Sequence, residues 1–427
     1  SRRLEYRVGG ENISKINNFR IIGQGILNYF LTFKILKVMK LKFEDFFLLD
    51  EELSEEYKVL RDNVRKFVND EVIPIIGNYW ERGEFPKHLI KKIAELGLVG
   101  SYMPAEYGGG GFDKLAYGII TRELERGDSG IRSFVSVQTS LVMYPILKFG
   151  SEAQKRKYLP KLANCEIIGC FGLTEPDAGS DPSSMKTRAY KKGSSWIIRG
   201  TKMWITNANL SDIAIIWAKD DEGIIRGFIV EREMGYETRE MKGKISLRAS
   251  DTGEIILNDV EVPDENRLPF TEGLKSALMC LNQARFGIAW GAVGIAQFCL
   301  EKAISYSKER IMFSNPIASY QITQMKLADI LTLTQNSNLI AYRIAKLDIE
   351  NKLSHYHVSY AKRYNVRAAK IACELARGIL GANGIMLDYH IMRHMANLEA
   401  VETYEGTYEI HTLILGEYLT GISAFRK

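Results

Sequence analysis

Residues 170–180 have the sequence CFGLTEPDAGS, and the periodicity of the chain changes there. Before this stretch, apolar side chains such as Tyr57, Leu60 and Val64 recur at steps of three and four residues, the spacing of one helix face. From about residue 166 to 263 the apolar period is two, which is typical of strands. The stretch itself begins as a strand and ends in a turn rich in hydroxyl and small residues. It therefore predicts the start of a β-domain.

The regions on either side complete the architecture. Predicted strands follow at Trp196–Ile198, Lys202–Thr206, Ile213–Ala218, Ile224–Val230, Lys244–Arg248 and Glu254–Val262. Helical patterns precede the β-region at Leu89–Leu98 and Ala116–Arg126, and Pro74 is expected to stop the first helix. Four long helical segments follow it, near 272–310, 320–350, 356–380 and 399–422.

The chain is thus predicted to have an α+β fold in four parts. Residues 1–47 are an extension and lead-in, 48–165 a helical domain, 166–270 a β-domain of sheet or barrel type, and 271–427 a four-helix bundle.

Composition excludes several classes of protein. The 427 residues are 46% hydrophobic and 26% charged, as in an ordinary globular protein. Five scattered cysteines form no C-x-x-C pair, which argues for reduced thiols and against a disulfide scaffold or a zinc site. The basic excess lies in residues 1–40, which hold eight Lys or Arg and two acids, so a nucleic-acid-binding body is not predicted.

The first 38 residues form a basic extension. Its apolar stretch 21–33 is too short to span a bilayer, and Met39 is a plausible natural start. A transit peptide is the alternative. We therefore expect a cytoplasmic protein, with the mitochondrial matrix as the alternative compartment.

Three further motifs favour structural roles. Gly108–Gly111 lacks the Lys-Ser/Thr ending of a phosphate loop and is expected to be a flexible loop. No G-x-G-x-x-G opens a strand-turn-helix unit. His390 and His394 have metal-ligand spacing, but without H-E-x-x-H or a third ligand they are expected to be surface or packing residues. No metal site is predicted.

Residues 403–407, TYEGT, interrupt the last helical segment. A backbone containing Gly406 can approach a ligand closely. A carboxylate at Glu405 between Tyr404 and Tyr408 should have a raised pKa, as a general base near neutrality requires. The residues alone leave open the alternative of a solvated glutamate on a helix face.

Four motifs, taken in order, resemble the acyl-CoA dehydrogenase family from about Leu53 to Phe425. They are FGLTEPDAGSD, KMWITNA, ERIMF followed by Gln321, and TYEGTYEIH. The resemblance implies a helical–β–helical homotetramer that binds FAD between the β-domain and the bundle. Within the family, the members that oxidise glutaryl-CoA are the most similar, through Arg122–Ser133, Lys244–Ala249, Cys280–Trp290 and Asn397–Val401.

The resemblance also implies roles for individual residues. Glu405 is the catalytic base. The implied FAD contacts are Phe171, Leu173, Thr174, Gly179, Ser180, Trp204, Ile205, Thr206, Arg310, Phe313, Gln321, Gly381, Ala382, Thr407 and Glu409. The implied acyl-CoA contacts are Arg132, Ser133, Ser180, Asn282, Arg285 and Gly406. The chain departs from many relatives in having Gly378 in place of Gln and Ala382 in place of Gly, so one dinucleotide contact is lost.

Arg132 bears on the substrate. An aliphatic acyl tail needs an apolar pocket end, whereas a buried arginine is compensated by a distal carboxylate. The expected reaction is oxidative decarboxylation of glutaryl-CoA to crotonyl-CoA and CO₂, a step of lysine and tryptophan degradation, with an electron-transferring flavoprotein as acceptor. Alternative functions are a short-chain acyl-CoA oxidase, a non-decarboxylating dehydrogenase, or an inactive CoA- or partner-binding helical protein. The alternative role for Arg132 is a surface salt bridge to Asp128 or Glu125.

Overall fold

The computed structural model describes residues 42–425. Residues 42–50 belong to a separate small unit, in which the Asp45 carboxylate accepts hydrogen bonds from the Leu49 and Asp50 amides at 2.7 and 3.0 Å. From Glu51 onward the chain forms one compact unit. The predictions made for residues 1–38 lie outside the described residues. No helix in the described range 42–425 is long and apolar enough to cross a membrane.

The first part of the compact unit is helical. Its α-helices are α1 (Glu55–Phe67), α2 (Ile73–Arg82), α3 (Leu89–Glu95), α4 (Lys114–Gly127), α5 (Ser129–Ser136), α6 (Tyr144–Phe149) and α7 (Glu152–Ala163). The prediction that Pro74 stops the first helix is wrong. A π-helical segment, Val68–Val72, joins α1 to α2 and places Pro74 in the first turn of α2, where the missing N–H of proline costs nothing.

A curled seven-stranded sheet follows. Its strands are β1 (Gly169–Gly172), β2 (Arg188–Lys192), β3 (Ser195–Thr206), β4 (Ile213–Lys219), β5 (Ile225–Glu231), β6 (Glu237–Glu240) and β7 (Thr252–Pro263). The order is β1-β4-β2-β3-β7-β6, with β5 paired to β4. β1 pairs in parallel with β4, whereas β3 and β7 form a long antiparallel ladder.

Two details of the sheet differ from the sequence prediction. The two segments predicted at Trp196–Ile198 and Lys202–Thr206 are one strand, β3, with register shifts after Ile198 and Lys202. The strand predicted at Lys244–Arg248 is wrong, because these residues form an irregular connection between β6 and β7. The Lys244 ammonium donates there to Ser250 O and Thr252 Oγ1, both at 2.7 Å.

The C-terminal part is again helical. It contains α8 (Leu274–Glu309), the short strands β8 (Ile311–Met312) and β9 (Asn315–Pro316), α9 (Gln321–Ile349), α10 (His355–Leu380), α11 (Ile391–Thr403) and α12 (Tyr408–Thr420). The segment predicted near 399–422 is therefore two helices, and the first begins earlier, at Ile391. The turn between them contains Glu405.

The core places three regions of the chain around that turn. Helix α4 is buried along nearly its whole length, including Arg122, Glu123 and Glu125. One apolar cluster joins the N-terminal helices to β1, β4 and the beginning of α8, while a second fills the sheet. The N-terminal and C-terminal helices thus share a core, and the proposed boundaries at 165/166 and 270/271 fall between elements of one compact unit.

Candidate active site

The turn from Tyr404 to Gly406 is held in a strained conformation. Glu405 has φ 53° and Gly406 has φ 100°, both in the left-handed region. A Cβ at position 406 would lie 3.0 Å from His411 Nε2 and 3.2 Å from Arg285 Nη2. Glycine is therefore required at 406 by both its backbone conformation and its surroundings.

Cationic side chains hold the carbonyls of this turn. Arg285 Nε donates to Glu405 O at 2.6 Å, and its Nη1 donates to Asn282 Oδ1 at 3.1 Å. The Lys362 ammonium donates to Tyr404 O and to Gly406 O. Three consecutive carbonyl oxygens are thus bonded to side chains of α8 and α10, which fixes the path of the backbone around Glu405.

The Glu405 carboxyl group is desolvated. The residue as a whole is half-buried, but its Oε2 is buried without a hydrogen-bond partner among the described residues. Burial raises the pKa of Glu405, and the nearby cations Arg132, Lys362 and Arg285 oppose that rise. The direction is the one predicted from the sequence. By contrast, Glu402 on the preceding helix is paired with Lys370 at 2.6 Å.

Arg132 lies close to this turn and is buried, with 1% exposed. Its Nε donates to Glu125 Oε2 at 2.7 Å, and its Nη2 donates to Glu125 Oε1 at 3.2 Å and to the Tyr404 hydroxyl. Burial acts to lower the pKa of Arg132, but Glu125, Tyr404 and Glu405 together raise it well above its usual value, so the guanidinium stays charged. Arg132 therefore has a partner within the chain, Glu125, before any substrate carboxylate is bound.

The alternative of a surface salt bridge named Glu125 correctly but is wrong about the position of the pair. The Arg132–Glu125 pair is buried, and Asp128 pairs instead with Arg393. Ser133 Oγ lies 3.4 Å from the Tyr404 hydroxyl. Within the described part of the chain, Arg132 Nη1 donates no hydrogen bond, so one edge of the guanidinium remains for a ligand.

Asp128 joins the two helices that carry these residues. Its Oδ1 accepts from the Gly130 amide at 2.6 Å at the beginning of α5. Its Oδ2 accepts from Arg393 Nη1 and, at 2.9 Å, from Asn397 Nδ2, both on α11. All three side chains are buried. One carboxylate therefore sets the start of the helix that contains Arg132 against the helix that ends beside Glu405.

The residues expected to contact the flavin from the sheet belong to the end of β1, the loop that follows it and the end of β3. Phe171 and Leu173 are buried, and Thr174 O accepts from the Met203 amide at 2.8 Å, which joins the end of β1 to the end of β3. At the second register shift of β3, Trp204 has φ 63° and its side chain is 57% exposed. Ile205 beside it is buried, Thr206 is partly exposed, and Gly179 and Ser180 are exposed.

The expected bundle-side contacts are distributed over several elements. Arg310 and Phe313 lie at the β8–β9 hairpin, Gln321 begins α9, Gly381 and Ala382 follow α10, and Thr407 and Glu409 begin α12. Most are exposed, Phe313 to 86%. The Thr407 hydroxyl caps α12 by accepting from the Ile410 amide at 3.2 Å. The structure thus brings Arg132, Ser133, Asn282, Arg285 and Gly406 to the Glu405 turn. It leaves Ser180 and most of the bundle-side set at the surface.

The residues present fit FAD. A flavin needs an apolar surface for its ring and polar groups for its edges and phosphates. Phe171, Leu173 and Ile205 supply apolar side chains, Thr174 and Thr206 supply hydroxyls, and a Cβ built at Gly179 would meet nothing within 4 Å. The hydroxyl groups and the open space at Gly179 agree with such a ligand.

Sequence reasoning missed Lys362 and treated Glu125 only as an alternative partner. A signal for Lys362 was present: it occupies the stripe of α10 that includes Val358, Ala361, Val366 and Ala369, all buried. A lysine inside an apolar stripe predicts a buried charge with a specific partner. His390 and His394 pack against Phe298, with ring centroids 6.0 and 5.0 Å away, which is the packing role expected.

Comparisons with known proteins cover almost the whole described chain. Models of the N-terminal, middle and C-terminal domains of acyl-CoA dehydrogenase match residues 54–166, 170–260 and 271–420. A glutaryl-CoA dehydrogenase of Desulfococcus multivorans is 36% identical over 86% of this chain and 97% of its own. The mitochondrial short-chain specific acyl-CoA dehydrogenase of Rattus norvegicus is 35% identical over 86% of this chain and 91% of its own.

Solved structures give the same result. A crystal structure of glutaryl-CoA dehydrogenase from Mycobacterium smegmatis is 48% identical, covers 90% of this chain and 99% of its own, and has a TM-score of 0.87. A second structure of a glutaryl-CoA dehydrogenase from that organism, in complex with FADH2, is 45% identical, covers 89% of this chain and 98% of its own, and also has a TM-score of 0.87.

Proposed function

The chain belongs to the acyl-CoA dehydrogenase family of FAD-dependent enzymes, and on that premise we propose that it oxidises glutaryl-CoA and releases CO₂ to give crotonyl-CoA. The observation that carries the substrate choice is the buried Arg132, which lies against Tyr404 beside the Glu405 turn and keeps Nη1 for a ligand. A distal carboxylate would accept from that edge in a charge-assisted bond.

In this proposal Glu405 is the general base. Its carboxylate takes the proton from the α-carbon of the thioester, and the raised pKa brings it nearer the operating pH of a base. The Glu405 amide donates to the thioester carbonyl and stabilises the developing enolate in a site from which water is excluded. Arg285, which donates to the turn and to Asn282, is assigned to acyl-CoA binding together with Asn282.

When bound, FAD supplies the acceptor for the hydrogen that leaves the β-carbon as hydride. The resulting enoyl thioester carries its carboxylate at the γ-position. Loss of CO₂ leaves an electron pair that the thioester delocalises, and protonation then gives crotonyl-CoA. The protonated Glu405 is the group of this chain positioned to return that proton. We further propose an electron-transferring flavoprotein as the acceptor of the electrons and a homotetramer as the assembly.

The test is turnover of purified holoenzyme. The protein should be yellow, reduce an artificial electron acceptor with glutaryl-CoA, and release one CO₂ per turnover. Butyryl-CoA and isovaleryl-CoA serve as carboxyl-free comparisons and should have a lower kcat/KM. Glutaconyl-CoA without CO₂ would show a non-decarboxylating enzyme, and hydrogen peroxide would show an oxidase.

The buried Glu125 favours one rival substrate class. Because Glu125 already neutralises Arg132, a second carboxylate brings a net negative charge into the pocket, whereas an uncharged short acyl chain does not. The rival is therefore an ordinary short-chain acyl-CoA, and a kcat/KM for butyryl-CoA at or above that for glutaryl-CoA would establish it.

A further inference from the structure

Lys362 on α10 is a buried cation, with 1% of its surface exposed. Among the described residues it forms no ion pair with a carboxylate within 4 Å; its ammonium donates to two backbone carbonyls, those of Tyr404 and Gly406. Desolvating an ammonium costs several kcal/mol unless strong acceptors replace water. Here the acceptors that replace water are the carbonyl oxygens of the two residues that flank Glu405.

The turn needs such support. A residue other than glycine in the left-handed region costs roughly 1–3 kcal/mol and persists only where its surroundings hold it, and Glu405 has φ 53°. Lys362 bonds the carbonyls on either side of Glu405, while Arg285 bonds its own carbonyl. Arg285 also contacts Asn282, whereas the ammonium of Lys362 donates to this turn alone among the described residues.

Lys362 is surrounded by charged side chains, of which Glu405 stabilises its positive charge the most. The charged and titratable side chains that face it are Glu405 in the turn, Arg285 in α8, Arg132 in α5, Glu402 in α11 and His411 in α12. Burial lowers the pKa of Lys362 to about 7, with Glu405 acting against that fall. The ammonium therefore has both a geometric contact with the turn and an electrostatic effect on the carboxyl group.

Resting on the proposed role of Glu405, we propose that Lys362 is a positioning residue for the base: by holding the carbonyls on both sides of Glu405, it fixes the turn from which the carboxylate reaches the α-carbon of the substrate. Its positive charge also favours the ionised, proton-accepting form of Glu405. Lys362 itself contacts neither reacting atom, so its effect acts through the position and the proton affinity of Glu405.

The experiment compares Lys362→Met with Lys370→Met in the holoenzyme. Lys370 lies on the same helix and pairs with Glu399 and Glu402 near the surface. Lys362→Met should lower kcat about 10- to 100-fold, since a displacement of about 1 Å can cost 10² in rate, and change KM less than about threefold. The acidic limb of the kcat/KM profile should move to higher pH. Lys370→Met should match the wild type in all three.

A second variant separates the contact from the charge. Lys362→Gln keeps N–H donors without the positive charge, so its kcat at high pH should lie nearer the wild type while its acidic limb moves as in Lys362→Met. A folded, FAD-loaded Lys362→Met with kcat within twofold of the wild type and an unmoved limb overturns the proposal. Should the methionine variant not fold, an unmoved limb in Lys362→Gln does the same.

Failure of the proposed function is distinguishable. It is shown by a wild-type holoenzyme that turns over no acyl-CoA, or by a Glu405→Gln variant that stays active. The contact itself is tested without substrate, by amide hydrogen exchange across residues 404–407. Exchange there should be faster in Lys362→Met than in the wild type, and equal exchange overturns the positioning role whatever the reaction.

Discussion

Two strained residues, Glu405 and Trp204, flank the proposed site and are held in opposite ways. Both have left-handed backbones, with φ 53° and 63°. Buried cations from two helices fix the Glu405 turn, and the Glu405 Oε2 is buried. The sheet register fixes Trp204, whose side chain is 57% exposed. Side chains of the protein therefore surround the first residue, whereas the second presents an aromatic side chain to the outside of the described structure.

The largest expected effect is that of replacing Glu405, whose surroundings are side chains and backbone of the protein itself. Glu405→Gln should lower kcat at least about 10³-fold, because general-base catalysis contributes 10²–10⁴ and the variant has no proton acceptor. FAD content should stay unchanged. The measurement is anaerobic bleaching of the flavin by glutaryl-CoA, with Glu399→Gln, an exposed glutamate on α11, as the matched control. Rapid bleaching in Glu405→Gln would contradict the assignment.

The second prediction concerns Arg132, which lies beside the Glu405 turn. Arg132→Ala alone would strand Glu125 as a buried charge, so the informative variant is the double change Glu125→Gln with Arg132→Met. We expect kcat/KM for glutaryl-CoA to fall about 10²-fold, as for loss of a buried charge-assisted contact of ~3 kcal/mol. The kcat/KM for butyryl-CoA should stay level or rise. A parallel fall for both substrates would remove Arg132 from substrate selection.

A smaller effect is expected at the outward-facing residue. Trp204→Ala should weaken FAD retention about threefold to tenfold, in line with the 0.5–1.5 kcal/mol of an aromatic stacking contact. Melting of the FAD-free protein should be unchanged, because the side chain is mostly exposed. Equilibrium dialysis of FAD measures the loss, and Ile245→Ala, at a position 79% exposed outside the site, is the control. Equal FAD affinity in both variants would place the flavin elsewhere.

The smallest prediction is a pH-dependent stability difference. Because the pKa of Glu405 is raised in the fold, its favourable contribution is present below the unfolded value of 4.5 and is lost as pH rises through the folded pKa. Glu405→Gln should therefore be more stable than the wild type at pH 8, and this advantage should disappear on acidification. Thermal melts at pH 8 and pH 4.5 measure it, and a less stable variant at pH 8 would show that the carboxylate is well solvated.

The sequence predicted what depends on local pattern. The family, the fold class and FAD as cofactor are confirmed, since long ordered motifs and the change of period from 3.6 to 2 are visible in one chain. The assigned roles of the site residues remain predictions. The raised pKa of Glu405 followed from its aromatic neighbours, and its direction agrees with the structure.

Two of the failures depend on contacts distant in sequence, and two depend on local backbone geometry. Lys362 lies 43 positions from Glu405 by their numbers, so no local pattern links them. Glu125 looked like one more charge on a helix, and only the packing of α4 against α8 makes it a buried partner for Arg132. Pro74 was misjudged because a π-helical segment shifts the helix register in a way that the apolar spacing does not reveal. The alternation of apolar and polar residues suggested a strand at Lys244–Arg248. These residues instead form a loop, in which the Lys244 ammonium donates a hydrogen bond to the Ser250 carbonyl.

Asp128 has a consequence for how this enzyme can be recombined. Its carboxylate bonds α5 and α11 at once, so residues 114–136 and 391–407 are one functional module although more than 250 positions separate them. A chimera that takes its N-terminal third from one relative and its C-terminal helices from another combines the two sides of this contact from different parents. Such hybrids should retain the pocket spacing only where both parents supply the same Asp, Arg and Asn.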